Sequence, residues 1–158
     1  MRKRLLKLIE NNPNLTLENL EAILGVNKNE IAKELDKLRE EEIIKGEKTV
    51  IDWSKVEDTL LKSIIMLNIR PQRDTGFDEI AKRISNLDEV ESCELLSGAY
   101  DLLVIVHGES FQDIAAFVAK KLSPMDNVLT TQTCFILKTY KKDNYMFTED
   151  DTDMRVDA

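Results

Sequence analysis

Lysine and asparagine side chains recur at helical spacing in the segment 27–40, and their chemistry suits contact with nucleic acid. Lys28, Asn29, Lys33 and Lys37 stand opposite the apolar positions of this segment. Lysine ammonium groups bind phosphate oxygens, and an asparagine amide near a helix N-terminus can bind a base edge. These residue types at this spacing predict that one exposed helix face contacts double-stranded DNA.

Residues suited to catalysis or metal binding are scarce. The chain has one histidine, His107, and two cysteines, Cys93 and Cys134, which stand far apart with no CxxC spacing. A single histidine gives no credible zinc set and no Ser/His/Asp or Cys/His catalytic set. We therefore predict no enzyme activity, no metal and no cofactor.

The DNA-contacting face requires a helix-turn-helix, and the surrounding sequence predicts one. A first helix covers about residues 2–11, Thr16 caps a second, Gly25 makes the turn and Asn27 caps a third. Glu30, three residues after Asn27, resembles half of a capping box. The second helix carries Leu17, Leu20, Ile23 and Leu24, and the predicted buried stripe of the third is Ile31, Ala32, Leu35 and Leu38.

A two-stranded wing is predicted after the third helix. Ile43-Ile44 and Thr49-Val50-Ile51 are β-type runs on either side of Lys45-Gly46. Lys45 and Lys48 on this wing, and the basic group at residues 2–4, are candidates for phosphate contact.

Strands and helices alternate in the second half, in the order βαββαβ. This order is the ferredoxin-like arrangement, so the fold class is α+β, a winged helix-turn-helix followed by a ferredoxin-like domain. The second helix of this half is expected to turn Phe111, Ile114, Ala115 and Val118 inward. The predicted elements are Leu61–Arg70, Phe77–Leu87, Val90–Leu96, Tyr100–His107, Phe111–Leu122 and Val128–Tyr140.

Charge divides the chain in the same place. Residues 1–56 contain 11 Lys/Arg and 11 Asp/Glu, which leaves the whole net charge of −8 to residues 57–158. An acidic surface repels phosphate, so DNA contact is expected from the first half. We predict a DNA-binding domain at 1–53, a linker at 54–60, a second domain at 61–142 and an acidic, disordered tail at 143–158. No apolar run approaches the roughly 20 residues of a membrane span, and the cytoplasm is the expected compartment.

Together these elements resemble the leucine-responsive/asparagine-regulator (Lrp/AsnC) family of transcription regulators, over about residues 2–142. Four motifs carry the resemblance: Leu20–Val26, Leu38–Gly46, Ser97–Asp101 and Val128–Thr133. The resemblance implies a second domain of the RAM type that forms homodimers through its sheet, often assembled into octamers. It also implies an amino acid or related metabolite bound between dimers.

The resemblance further implies which residues hold the effector. Its loop is Ser97, Gly98, Ala99, Tyr100 and Asp101, and the facing strand contributes Thr131 and Thr133. A glycine turn exposes N–H groups to a carboxylate, and an aspartate can accept from an ammonium group.

One position departs from the family. Glu42 stands where the family usually has the glycine that ends the recognition helix in the left-handed conformation, so a different helix end is expected here.

Two other functions fit parts of the sequence. The acidic recognition helix also fits a co-regulator that oligomerises but binds DNA weakly, retaining a sheet face with Ile64, Met66, Val104 and Val106. The domain order resembles that of sirohaem decarboxylases as well, although such enzymes use several histidines.

Overall fold

The chain folds into two compact units in a computed structural model, which describes residues 1–57, 60–71, 73 and 76–147. One unit is formed by Met1–Ile51 with Lys141–Met146, and the other contains Asp52–Tyr140. Each unit has its own cluster of buried apolar side chains.

Three helices form the N-terminal unit: α1 (Arg2–Asn11), α2 (Leu17–Leu24) and α3 (Lys28–Glu40). Gly25 ends α2 at a φ of 67°, which is the left-handed turn that glycine adopts without a steric penalty. Four side chains from the three helices are almost completely removed from solvent, namely Leu5, Leu20, Ile31 and Leu38. The predicted helix-turn-helix is therefore confirmed.

The capping box lies at α2, so the prediction that it lies at α3 is wrong. The Thr16 hydroxyl accepts from the Asn19 N–H at 3.2 Å, and the Asn19 side-chain oxygen accepts from the Thr16 N–H at 3.1 Å. Asn27 does cap α3, but it accepts from the N–H of Asn29 at 2.9 Å. Glu30 stays exposed and makes no reciprocal bond among the described residues.

Helix α3 ends in a Schellman motif with a glutamate in the position of the usual glycine. Glu42 has a φ of 55°, and its N–H donates to Arg39 at 3.0 Å. The N–H of Ile43 donates to the Leu38 carbonyl at 2.9 Å. These are the two bonds of the motif, so the expectation of a different helix end is wrong.

The predicted two-stranded wing is wrong for the segment 43–51, which is a bend followed by chain without regular secondary structure. The reason lies in the helix end: Ile44 as well as Ile43 donates its N–H to Leu38. Those N–H groups are no longer available to a strand partner. A two-stranded hairpin by itself is at best marginally stable.

Strands and helices alternate along the second unit in the predicted order βαββαβ, after a short 3-10 turn at Trp53–Lys55. They are β1 (Leu61–Ile69), α4 (Asp78–Ser85), β2 (Val90–Leu95), β3 (Leu102–Gly108), α5 (Phe111–Phe117), which runs on as a π-helical turn over Val118–Leu122, and β4 (Val128–Phe135). The four strands form an antiparallel sheet in the spatial order β2-β3-β1-β4, so the ferredoxin-like fold is confirmed.

The helices cover one face of this sheet and leave the other open within the unit. Ile65 and Leu67 of β1 are fully buried in the cluster that includes residues of α4 and α5. Ile64 and Met66, on the other face of the strand, are half-buried. Leu103 and Ile105 of β3 lie opposite Met66 and Ile64, so the four form an apolar patch, which we call the open face. Val104 and Val106, predicted on this face, are buried beneath the helices, because side chains alternate along a strand.

Two details of the second half differ from prediction. Phe111 and Ala115 are exposed, and Phe111 packs edge to face on Phe135 with ring centroids 4.6 Å apart. The buried residues of α5 and the turn that continues it are Ile114, Phe117 and Leu122, which lie along a different face of the helix from the predicted one.

The last predicted strand stops at Phe135, and a short hairpin follows. Its strands are β5 (Lys141–Lys142) and β6 (Tyr145–Met146). Asp143 and Asn144 make the turn at φ values of 48° and 67°, as a type I′ turn requires. Residues 143–146, predicted as part of a disordered tail, are therefore ordered, and the predicted tail at 148–158 lies outside the described residues.

Candidate nucleic-acid and effector sites

One exposed stripe of α3 carries three of the predicted DNA contacts. Asn29, Lys33 and Lys37 are spaced four residues apart and are exposed, while Ile31 and Leu38 on the same helix are buried. Residues four apart share a helix face. The stripe presents one amide near the helix N-terminus and two ammonium groups, so it can bind base edges and phosphates.

Neighbouring acids engage several of the predicted cations. Lys28 lies 3.4 Å from Glu18, and Lys37 lies 3.8 Å from Glu41. Lys45 lies 2.6 Å from Glu42. Lys48 is exposed in the irregular segment after α3, and Lys33 has no acidic partner among the described residues. These surface pairs must loosen before their lysines bind phosphate, which weakens the electrostatic attraction to DNA.

The basic group at the start of α1 is largely engaged within the unit. Arg2 bonds Glu34 through Nε at 2.6 Å and Glu41 through Nη1 at 2.9 Å. Arg4 donates to the carbonyl of Ile23 at 3.1 Å. The Arg2 hydrogen bond holds the pKa of Glu41 below its usual range. Lys3 is the member of this group with no partner among the described residues.

Asp101, in the loop predicted to bind the effector, extends the sheet beyond the start of β3. Its N–H donates to Leu67 at 2.9 Å, and its carboxylate accepts from the Ile69 N–H at 2.7 Å. Its carbonyl accepts from Leu96 at 2.8 Å. Asp101 therefore fixes the loop to β1, whether or not its carboxylate also meets an effector.

The sheet separates the other predicted effector residues. The Tyr100 hydroxyl donates to the side-chain oxygen of Gln132, which lies opposite Met66 on the open face. Thr131 and Thr133 lie on the helix-covered face. The structure thus brings Tyr100 to Gln132 and not to the threonines. Sequence reasoning missed Gln132, although the period of two placed it between them on the opposite side.

Ser97, Gly98 and Ala99 form the exposed tip of the loop. A Cβ atom built on Gly98 would meet nothing within 4 Å, and its φ is not left-handed. The isolated chain therefore does not require glycine here, and the loop tip is open to another molecule.

The remaining candidate groups have local explanations. His107 lies 3.5 Å from Glu91, and Lys62 lies 2.5 Å from the same carboxylate. Burial raises the pKa of the Cys93 thiol, which keeps it protonated at neutral pH. Among the described residues, none of the helices has the length and apolar character of a bilayer-spanning segment.

Comparison with known proteins identifies both halves. Residues 62–146 match the Lrp/AsnC ligand binding domain. The chain is 40% identical over 153 residues to the uncharacterized HTH-type transcriptional regulator YugG of Bacillus subtilis, covering 96% of this chain and 92% of the relative. It is 23% identical over 140 residues to the HTH-type transcriptional regulator FL11 of Pyrococcus horikoshii, covering 89% of each chain.

Solved structures share the fold. A complex of the transcriptional regulator NMB0573 of Neisseria meningitidis with L-Met superposes with a TM-score of 0.69 at 23% identity, covering 89% of this chain and 90% of that one. Escherichia coli AsnC gives a TM-score of 0.66 at 19% identity, covering 89% and 93%. With the helix-turn-helix, the ferredoxin-like domain and the family match in agreement, the chain belongs to the Lrp/AsnC family of HTH-type transcriptional regulators.

Proposed function

We propose that this regulator contacts double-stranded DNA through α3, within a DNA-binding domain at residues 1–53. The observation that carries the proposal is the exposed stripe Asn29, Lys33 and Lys37. Lys28, Lys45 and Lys48 supply flanking phosphate contacts. Because acids pair with several of these lysines, one copy binds weakly and two copies on adjacent half-sites are needed.

The salt dependence of DNA binding tests this proposal. We expect the Lys33→Gln/Lys37→Gln variant to bind a duplex from the region upstream of the protein's own gene more weakly. The slope of log affinity against log salt should become shallower by about 0.9 for each lysine removed. A phosphate that no longer contacts a lysine keeps its counterion when the protein binds. Lys7→Gln, an exposed lysine of α1, is the matched control. An unchanged slope would remove both lysines from the interface, and no sequence-specific shift at low salt would favour the co-regulator.

We infer that the loop Ser97–Asp101 binds an amino acid or related metabolite, without Thr131 and Thr133, which lie on the helix-covered face of the sheet. The open loop tip around Gly98 supports this inference, because its N–H groups can meet a carboxylate while Asp101 meets an ammonium group. The solved relative in complex with L-Met indicates the ligand class.

A thermal-shift screen of the free amino acids identifies the effector. Gly98→Ala should remain as stable as the parent, since its Cβ enters open space, yet lose the ligand-induced shift. Asp101→Asn keeps an acceptor for Ile69 and removes the charge, so it separates the effector contact from the structural one. A full shift in both variants would place the effector elsewhere.

We further propose that residues 61–142 assemble the protein as a homodimer or octamer through the open face. Ile64, Met66, Leu103 and Ile105 give this face its apolar surface, which an aqueous monomer leaves uncovered. Leu103→Asp should reduce the mass measured by light scattering, whereas Leu137→Asp, at a position that is 91% exposed, should not. An unchanged mass for Leu103→Asp would exclude the open face. In this proposal the regulator acts in the cytoplasm, without enzyme activity, metal, cofactor or membrane.

A further inference from the structure

Arg2 joins the start of α1 to the C-terminal half of α3. Its guanidinium contacts Glu34 through Nε at 2.6 Å and Glu41 Oε2 through Nη1 at 2.9 Å. Guanidinium groups suit such paired contacts, because their donors are fixed in one plane. One residue of α1 thus engages two of the acids on the recognition helix.

Glu41 is shared between two cations. Its Oε2 faces Arg2 at 2.9 Å, while its Oε1 lies 3.8 Å from Lys37 Nζ. The Arg2 contact is 2.9 Å long, whereas the Lys37 contact, at 3.8 Å, is near the outer limit of an ion pair. Lys37 is therefore the more weakly held of the two cations.

Lys37 is also the cation that stands on the DNA-contacting stripe. To reach a phosphate it must leave Glu41, which lies one helical turn away. With Arg2 present, Glu41 keeps a closer counterion when Lys37 departs. Without Arg2, Glu41 faces Lys37 alone, and the two form an ordinary helical ion pair four residues apart.

We infer that Arg2 is a positioning residue for DNA binding, which holds Glu41 so that Lys37 is released to a phosphate. The inference rests on the proposed function, in which Lys37 contacts DNA. Arg2 itself touches no DNA in this scheme: it acts through Glu41. Its single positive charge also offsets part of the negative charge of Glu34 and Glu41, which would otherwise repel phosphate.

A rescue experiment on the full chain tests this role. DNA affinity is measured by fluorescence anisotropy over a salt series, with a duplex from the upstream region and one of unrelated sequence. We expect Arg2→Gln to weaken binding about two- to fivefold, the range of one exposed charge interaction. The slope of log affinity against log salt for Arg2→Gln should become shallower, toward that of Lys37→Gln. Arg2→Gln/Glu41→Gln should recover both affinity and slope, because no carboxylate then holds Lys37.

The controls separate this role from simpler ones. Lys7→Gln removes one positive charge from another exposed position of α1 and should change affinity less than Arg2→Gln. Equal losses would indicate a general charge effect and overturn the inference. If Arg2 only stabilised the contact of α1 with α3, the double variant, which also lacks the ion pair, would stay as weak as Arg2→Gln.

The two proposals fail in distinguishable ways. If Lys37→Gln binds DNA like the parent, the proposed contact of Lys37 is wrong, and the role of Arg2 falls with it. If Lys37→Gln weakens binding but Glu41→Gln does not rescue Arg2→Gln, the DNA contact stands and the inference about Arg2 alone is overturned.

Discussion

Replacing Glu42 by glycine should stabilise the N-terminal unit. Glu42 ends α3 at a φ of 55°, where the N–H groups of Glu42 and Ile43 close the Schellman motif on Arg39 and Leu38. A residue with a Cβ in this conformation costs about 1–2 kcal/mol. Glycine avoids that cost but loses about 0.4–1 kcal/mol through the greater freedom of the unfolded chain.

The difference predicts a gain of about 0.5–1 kcal/mol in the free energy of unfolding for Glu42→Gly. The exposed ion pair of Glu42 with Lys45 is also lost, but both side chains are more than 70% exposed, so it contributes little. Removing a negative charge near a helix C-terminus acts in the stabilising direction.

Urea unfolding followed by helical circular dichroism measures this gain. Glu42→Gln is the matched control, because it removes the charge and the ion pair but keeps the Cβ. The stability difference between the glycine and glutamine variants then reports the backbone effect alone. Equal stability of these two variants, or a less stable glycine variant, would refute the reasoning that Glu42 is strained.

Four further predictions follow from individual contacts. Thr16→Ala should lower the free energy of unfolding by about 1 kcal/mol in the same assay, because it removes the hydroxyl that accepts from the Asn19 N–H. Thr16→Ser keeps a hydroxyl and should stay near the parent. Asp101→Ala should cost about 1–3 kcal/mol, since it leaves a partly buried N–H without a partner, whereas Asp101→Asn should cost less. The Cys93 thiol should be alkylated more slowly in the folded than in the unfolded protein at one pH, because burial raises its pKa; mass spectrometry measures both rates. The Lys121 hydrogen bond lowers the pKa of Glu89 in the folded protein, so the ionised pair stabilises the fold above about pH 4.5. This stabilisation is lost as the pH falls through the lowered pKa. Urea unfolding at several pH values should therefore show a smaller loss of stability in acid for Lys121→Gln than for the parent.

A single measurement can contradict the predictions for Thr16, Cys93 and Lys121. A Thr16→Ala variant as stable as the parent would contradict the capping argument. Equal rates of alkylation in folded and unfolded protein would contradict burial of the thiol. An unchanged acid profile in Lys121→Gln would show that the pair with Glu89 does not persist in solution.

Local signals in the sequence were sufficient for the helices and most strands. Thr16, Gly25 and Asn27 each act on backbone groups within a few residues, so both ends of α2 and the start of α3 follow from the sequence. Alternating apolar residues predicted β1 in the same way, and the order of elements then indicated the ferredoxin-like fold.

The candidate sites were predicted less completely, because they depend on which sheet face a residue occupies. Periodicity shows that Val104 and Ile105 point opposite ways, but only the packing of α4 and α5 decides that Val104 is buried. The same limit applies to Tyr100, whose partner Gln132 lies 32 residues away across β1. No local pattern connects two such residues.

The helix-turn-helix, the succession of strands and helices along the chain and the exposed lysines all follow from the sequence, because each depends on spacing and on caps within one or two turns of chain. Tertiary structure alone decided the partners of those residues. The bonds from Arg2 to Glu34 and Glu41 join positions more than 30 residues apart. The left-handed conformation of Glu42 is held by bonds to α3 against its own steric preference, so residue type at that position indicated the opposite. Long-range contact and imposed backbone strain are properties of the folded chain, and spacing does not encode them.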